Sequence, residues 1–186
     1  MQMSSAVKQW TLEEVHSLPD DGNKYELVRG ELFVTPPPTD THETVAARLS
    51  RILDPYVEQH ELGLVYHPRA VMRFAGSEVE PDLMVRSPHP GDHADWNDAP
   101  IPILIVEILS PSTRRRDQVQ KRSLYMDAGV AEYWLVDAER RMITAVRLGR
   151  EDLVAHETMR WRPEGAATEL TFDLARVFGL LSSASS

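Results

Sequence analysis

The chain has no cysteine among its 186 residues. Disulfides, thiolate catalysis and cysteine-ligated zinc are therefore excluded. It has no apolar stretch of membrane-span length and no charged-then-apolar leader, so a cytoplasmic protein is expected. It also lacks a positive surplus: 20 Lys and Arg face 29 Asp and Glu, for a net charge of -9. That balance argues against a protein that coats nucleic acid, but it leaves room for a local basic patch. There is no Gly-x-Ser-x-Gly elbow, which removes the usual serine-hydrolase arrangement.

What is present suits a real core, since 42% of the residues are hydrophobic. One domain over residues 8–181 is expected, with flexible termini at 1–7 and 182–186. Thr11-Leu-Glu-Glu14 reads as a capping box opening a short helix. Tyr25–Val28 and Glu31–Val34 flank Arg29-Gly30 as a hairpin. Thr39 or Asp40 starts a helix whose apolar stripe is Val45, Leu49, Ile52, Leu53, Tyr56 and Val57. Leu64 to Phe74 alternates and reads as one strand, and Val79 to Val85 as the next. A loop rich in Pro, Asp, His and Gly runs from Ser87 to Pro100. An apolar strand, a helix from about Ser110 to Ala128 and a strand at Ala131–Val136 form a crossover unit, so the two strands should be parallel neighbours. The order implies α/β, bordering on α+β, with a mixed central sheet.

The informative residue is Glu107, inside Ile101-Pro-Ile-Leu-Ile-Val-Glu-Ile-Leu109. An unpaired charge buried in such a strand costs several kcal/mol, roughly, so a cation, a metal ion or a proton should accompany it. Alternation puts Glu107 on the face of Ile105 and Leu109. On this evidence a structural salt bridge and a functional site stand level. Asp82, in Val79-Glu-Pro-Asp-Leu-Met-Val85, is a second strand-borne carboxylate; taken alone, an edge strand with a wet face is the favoured explanation. Asp117, Lys121, Leu124, Tyr125 and Ala128 share one helical face, so Asp117 and Lys121 should project inward near Glu107.

Two carboxylates in one cleft repel unless one protonates or a cation intervenes. Their oxygens suit Mg²⁺ or Mn²⁺, which lowers the pKa of a water and stabilises charge on a phosphoryl oxygen. A lysine beside them can orient the attacking water or stabilise the transition state. These are the needs of phosphodiester hydrolysis. Arg114, Arg115 and Arg116 are candidates for contact with a nucleic-acid backbone, against the simpler reading of a solvated helix start.

Pro81-Asp82, Glu107 and a downstream lysine resemble the PD-(D/E)XK nuclease superfamily. The likeness is closer to its restriction-endonuclease-like Uma-two branch. It is carried by Tyr25-Glu-Leu-Val-Arg-Gly-Glu-Leu32, His42, Glu80-Pro-Asp-Leu83, Val106-Glu-Ile-Leu-Ser-Pro-Ser-Thr113, Asp117 with Lys121, and Ala128-Gly-Val-Ala-Glu-Tyr-Trp-Leu-Val-Asp137. The resemblance implies a mixed sheet flanked by helices. It also implies a Mg²⁺- or Mn²⁺-dependent endonuclease acting on DNA, with Asp82 and Glu107 as metal ligands and Lys121 catalytic. Glu31 and His42 match positions lining the same site, Glu26 is a weaker candidate, and Ser110 and Asp117 would support it. One departure stands out: two residues after the acid, where the superfamily places its lysine, this chain has Leu109. The lysine then has to come from the next helix. A nuclease-fold protein that binds or regulates without chemistry is the alternative, and another phosphoesterase is a third reading. A homodimer is the expected assembly, because twofold homodimers are common.

Overall fold

The computed structural model describes residues 8–89 and 96–179. The termini expected to be flexible, 1–7 and 182–186, lie outside the described residues. The chain opens with α1 (Leu12–His16), β1 (Lys24–Val28), β2 (Glu31–Thr35) and α2 (Asp40–Gln59). Four short strands follow: β3 (Leu64–Tyr66), β4 (Met72–Phe74), β5 (Ser77–Val79) and β6 (Leu83–Arg86). Next come β7 (Leu104–Ile108), α3 (Arg114–Arg116), a π-helical segment (Asp117–Lys121), α4 (Arg122–Asp127) and β8 (Glu132–Asp137). The described chain ends with β9 (Met142–Arg147), β10 (Leu153–Ala155), β11 (Thr158–Trp161), β12 (Leu170–Asp173) and α5 (Ala175–Phe178).

A six-stranded sheet in the order β10-β9-β8-β7-β6-β3 forms the centre. Its β7 and β8 are parallel, Glu107 lying opposite Leu135, and the other pairs are antiparallel. The crossover expected from the sequence is therefore present. A second sheet has the order β2-β1-β5-β4, and β11 pairs with β12.

Strand β7 separates two apolar layers. Leu104, Val106 and Ile108 pack on one face with Val45, Leu49, Leu53 and Val57 of α2. Ile105 and Leu109 pack on the other with Leu124 and Tyr125 of α4, and with Val28 and Val79 of the second sheet. Alternation thus sends Glu107 toward α4 and the second sheet, as its neighbours predict.

Local chemistry explains most of the boundaries. Thr11 forms the full capping box of α1, and the Thr39 side chain accepts from the His42 amide at the start of α2. Arg29 (φ 51°) and Gly30 (φ 82°) are both left-handed, the backbone that a tight two-residue hairpin demands.

Three boundaries differ from expectation. Leu64–Phe74 is two strands in different sheets, interrupted at Pro68. Val79–Val85 is likewise split into β5 and β6, because Pro81 has no N–H for the ladder. Asp82 therefore sits in the bend between the sheets rather than within a strand. The helix after Glu107 starts only at Arg114 and widens into a π turn, with the Arg122 N–H reaching back five residues to the Asp117 carbonyl. Tyr133 donates its hydroxyl to the same carbonyl at 3.2 Å. No helix among the described residues is long and apolar enough to cross a membrane.

The joint between α2 and β3 is a sharp test of this packing. Gly63 has φ +121°, and a Cβ there would lie 2.0 Å from the Arg86 carbonyl oxygen. Gly63→Ala should lose on the order of 2 kcal/mol. Gly22→Ala, left-handed but in open space, should lose only about 1 kcal/mol. Urea unfolding of the two variants checks the difference.

Candidate active site

Three elements deliver charge to one place. Glu26 and Lys24 come from β1, Glu107 from β7, and Asp117 and Lys121 from the π segment. Lys121 is fully enclosed. Its Nζ donates to Glu107 Oε1 at 2.7 Å, lies 2.7 Å from Glu26 Oε1 and 4.0 Å from Asp117 Oδ1. Tyr125 donates its hydroxyl to the same Glu107 oxygen at 2.7 Å. The inward face expected for Asp117, Lys121 and Tyr125 is thus where the structure puts them, with all three at 1% exposure or less.

Asp82 approaches from the other side. The β6–β7 register pairs Leu83 with Val106, so one further step places Asp82 beside Glu107. Asp82 Oδ2 accepts the Ile108 amide at 2.7 Å and His42 Nε2 at 3.1 Å. Its Oδ1 lies 3.6 Å from Lys24 Nζ. Lys24 also donates to the Glu80 carbonyl at 2.9 Å.

The environment drives the two carboxylates apart. Burial raises the Asp82 pKa, but the His42 hydrogen bond, the Lys24 charge and the Ile108 amide outweigh it and hold the group well below the usual range. Burial also raises Glu107, and here it prevails. Lys121 opposes the rise, Asp82 and Asp117 add to it, and the group is pushed up to about 7. Burial works against the Lys121 cation, but Glu107, Glu26 and Asp117 more than compensate, so it stays charged. His42 is likewise held protonated above its ordinary range: burial opposes this, and Asp82 and then Glu43 overcome it. A proton near neutral pH therefore belongs on Glu107 rather than on Asp82.

Asp82 and Glu107 both line a cavity of about 910 Å³. Lys24, His42, Ser110, Arg116 and Asp117 line it too. Lys121 does not; it stands behind Glu107. Among the described residues no group of three or more His, Cys, Asp or Glu forms a ready-made metal cage. The donor set still fits Mg²⁺, which binds through one or two carboxylates and keeps several waters. The cavity that both carboxylates line has the volume for those waters.

The remaining sequence candidates separate. Glu31 is exposed at the turn end of β2 and does not line the cavity. It pairs with Val28, whereas Glu26 pairs with Phe33. Two residues along the strand, about 7 Å, put Glu31 out of reach. Glu26, the weaker candidate, is the central residue.

The arginine run also splits. Arg114 turns to Asp137 and Glu139. Arg116 is buried, bonded to Thr35 Oγ1 at 2.8 Å and 3.5 Å from Glu26. Only Arg115 is exposed. Reading the sequence alone misses Lys24, yet a signal exists: Lys24, Glu26 and Val28 alternate onto one face of β1, and Lys24 pairs with Thr35.

A family model for Uma2, described as putative restriction endonuclease, matches residues 12–175. Among solved structures, the chain is similar to a putative nuclease belonging to DUF820 from Anabaena variabilis ATCC 29413. That match has a TM-score of 0.74 at 19% identity and covers 91% of this chain and 97% of that one. At this identity it shows the fold, a mixed α/β nuclease-like architecture. No curated protein matches.

Glu107 yields a stability prediction whose sign follows from proton binding. With its folded pKa near 7 and an ordinary value of 4.5, the native state holds a proton that the unfolded state releases between those limits. Stability should therefore fall as pH rises through that window, by on the order of 3 kcal/mol. Glu107→Gln removes this group and should flatten the decline. Chemical denaturation of both proteins from pH 4.5 to 8 measures it; parallel curves exclude the raised Glu107.

Proposed function

The chain belongs to the Uma2 family, and on that premise we propose that it is a Mg²⁺-dependent endonuclease hydrolysing DNA phosphodiester bonds. The observation that carries the reading is the pairing in one cavity of an ionised Asp82 with a Glu107 poised near pH 7 and tied to a buried lysine. Two neighbouring acids pushed in opposite directions are the usual mark of groups with different chemical roles.

Asp82 and Glu107 would hold the metal ion, which when bound supplies positive charge to a phosphoryl oxygen and a water of lowered pKa. Asp82 presents a carboxylate that is already ionised and fixed by His42 and the Ile108 amide. Glu107 takes up or releases a proton near neutrality. Lys121 and Tyr125 grip Glu107 Oε1 and set the plane of its carboxylate. Lys121 therefore acts through Glu107, as a positioning residue, whereas Lys24 on the cavity wall is the cation placed to meet a phosphate oxygen. Ser110 and Asp117 line the same wall.

The enclosure of Lys121 also favours a second reading, a protein that keeps the fold and its ion pair as structure and binds without cleaving. Incubation of purified protein with plasmid and linear DNA, in Mg²⁺ or Mn²⁺ against EDTA, separates the two. Metal-dependent cleavage is expected, lost in Asp82→Asn and in Lys121→Ala; a wild type inert in both metals supports the binding protein. Lys121→Ala leaves Glu26 and Glu107 uncompensated and should cost about 3–5 kcal/mol, so its folding is checked by circular dichroism. Cleavage that survives in a folded Lys121→Ala protein removes Lys121 from the site.

Metal affinity should also depend on pH. An ion at Glu107 competes with its proton, so apparent Mn²⁺ affinity should rise about tenfold per pH unit up to roughly 7 and then level. Calorimetric titration at several pH values tests this, and a flat profile excludes Glu107 as a ligand.

A further inference from the structure

The cavity extends well beyond the carboxylates. It follows α2 from His42, bonded to Asp82, to Arg51. Nine helical residues span about 13 Å. Between His42 and Arg51, α2 contributes Glu43, Ala46, Ala47 and Ser50 to the lining, and Pro68 lines the cavity too. At the far end Arg51 is exposed and has no ion pair among the described residues.

Beside Arg51 a buried serine organises a histidine. Ser50, 7% exposed, donates its hydroxyl to Asp54 Oδ2 at 2.6 Å and lies 3.2 Å from His67 Nε2. A hydroxyl has one proton, and an ionised carboxylate only accepts. His67 must therefore donate from Nε2 to Ser50. Its Nδ1, which has no partner among the described residues, remains for a ligand. Ser50 and His67 both line the cavity.

We infer that this cavity takes an unpaired nucleic-acid strand, with a phosphate at Asp82 and Glu107 and the adjoining base along α2 beside His67 and Arg51. The inference rests on the nuclease reading above and narrows its substrate. Three observations carry it. Asp82 and Glu107 are only 6% and 2% exposed, so a phosphate must enter the cavity to reach them, which favours a single strand that can bend into it over a stiff duplex. The volume of about 910 Å³ falls in the roughly 300–1,000 Å³ range that encloses a drug-sized ligand, far short of a duplex. The cavity also has cations at both ends, Lys24 and His42 beside Asp82 and Arg51 farther along α2, which the charged backbone of a single strand can meet. Two arginines of the helix after β7 are also spent on acids, Arg114 on Asp137 and Arg122 on Asp152.

The test is fluorescence anisotropy in Ca²⁺, which takes oxygen ligands as Mg²⁺ does, with gels confirming that nothing is cut, using a labelled strand and its duplex, in deoxy and ribo forms. The single strand should bind at least about tenfold tighter than the duplex, and preference for either sugar supports the inference. Arg51→Ala and His67→Ala, both at exposed positions, should each weaken single-strand binding about three- to tenfold. Equal or tighter duplex binding overturns the inference, as does single-strand binding unchanged in both variants. Cleavage assays in Mn²⁺ then locate the failure. Indifferent cutting of duplex keeps the nuclease reading and sinks the single-strand one; a protein that neither binds nor cuts any strand sinks both.

Discussion

The structure turns on Lys121. Its ammonium is enclosed at 0% exposure and meets Glu26 and Glu107 at 2.7 Å each. Those carboxylates belong to different sheets, and Lys121 to the helical segment between β7 and β8. One cation therefore ties three elements that share no backbone hydrogen bonds. A buried ion pair of this kind adds little net stability beside an apolar replacement, because desolvation consumes most of the attraction. Its effect is conditional: with any one member absent, the others are left charged in a dry interior. The second sheet, β7 and the π segment can then coexist only in an arrangement that brings all three groups together.

That constraint sets the chemistry available at the cavity. Lys121 and Tyr125 both bind Oε1 of Glu107, so the carboxylate cannot rotate freely. Asp82 is fixed by an amide and an imidazole rather than by a lysine pair. Each acid is thus immobilised by a different element, and the energetic difference between them follows. Glu107 has two acidic neighbours, Asp82 and Asp117, and shares Lys121 with Glu26; Asp82 has the His42 hydrogen bond, the Lys24 charge and the Ile108 amide. Near neutral pH the pair carries one firmly ionised group and one that exchanges its proton.

What was legible in the sequence is what periodicity encodes. The Arg29-Gly30 hairpin, the Thr39 cap, the parallel crossover and the face of Glu107 all follow from residues close in the chain. The inward turn of Lys121 follows too, since four-residue spacing survives a π turn well enough to keep Asp117 and Lys121 together. Proximity between sheets is different. Glu26 and Glu31 flank the same turn in the same motif, and only the packing of β1 against β7 and the π segment decides between them. Lys24 is central for the same non-local reason. Alternation also carries across Pro68 and Pro81 as though the strands continued, because side-chain pattern does not register a missing N–H. The arginine run reads as solvated because its acidic partners, Asp137 and Glu26, lie 23 and 90 residues away in sequence.

The cluster divides its cations unevenly. Glu26 Oε2 is buried with no hydrogen-bond partner, its Arg116 contact being a 3.5 Å ion pair. Its Oε1, by contrast, meets Lys121 at 2.7 Å and accepts the Glu80 amide at 2.9 Å. Lys121, Arg116 and Lys24 all approach Glu26. They are shared, with Lys121 divided between Glu26 and Glu107 and Lys24 held toward Asp82 and the Glu80 carbonyl. Against its burial, Lys121, Lys24 and Arg116 together hold Glu26 below its ordinary pKa, whereas burial, Asp82 and Asp117 push Glu107 up in spite of the same Lys121. The carboxylate behind the cavity wall therefore keeps its charge, and the one on the cavity is left to take up the proton.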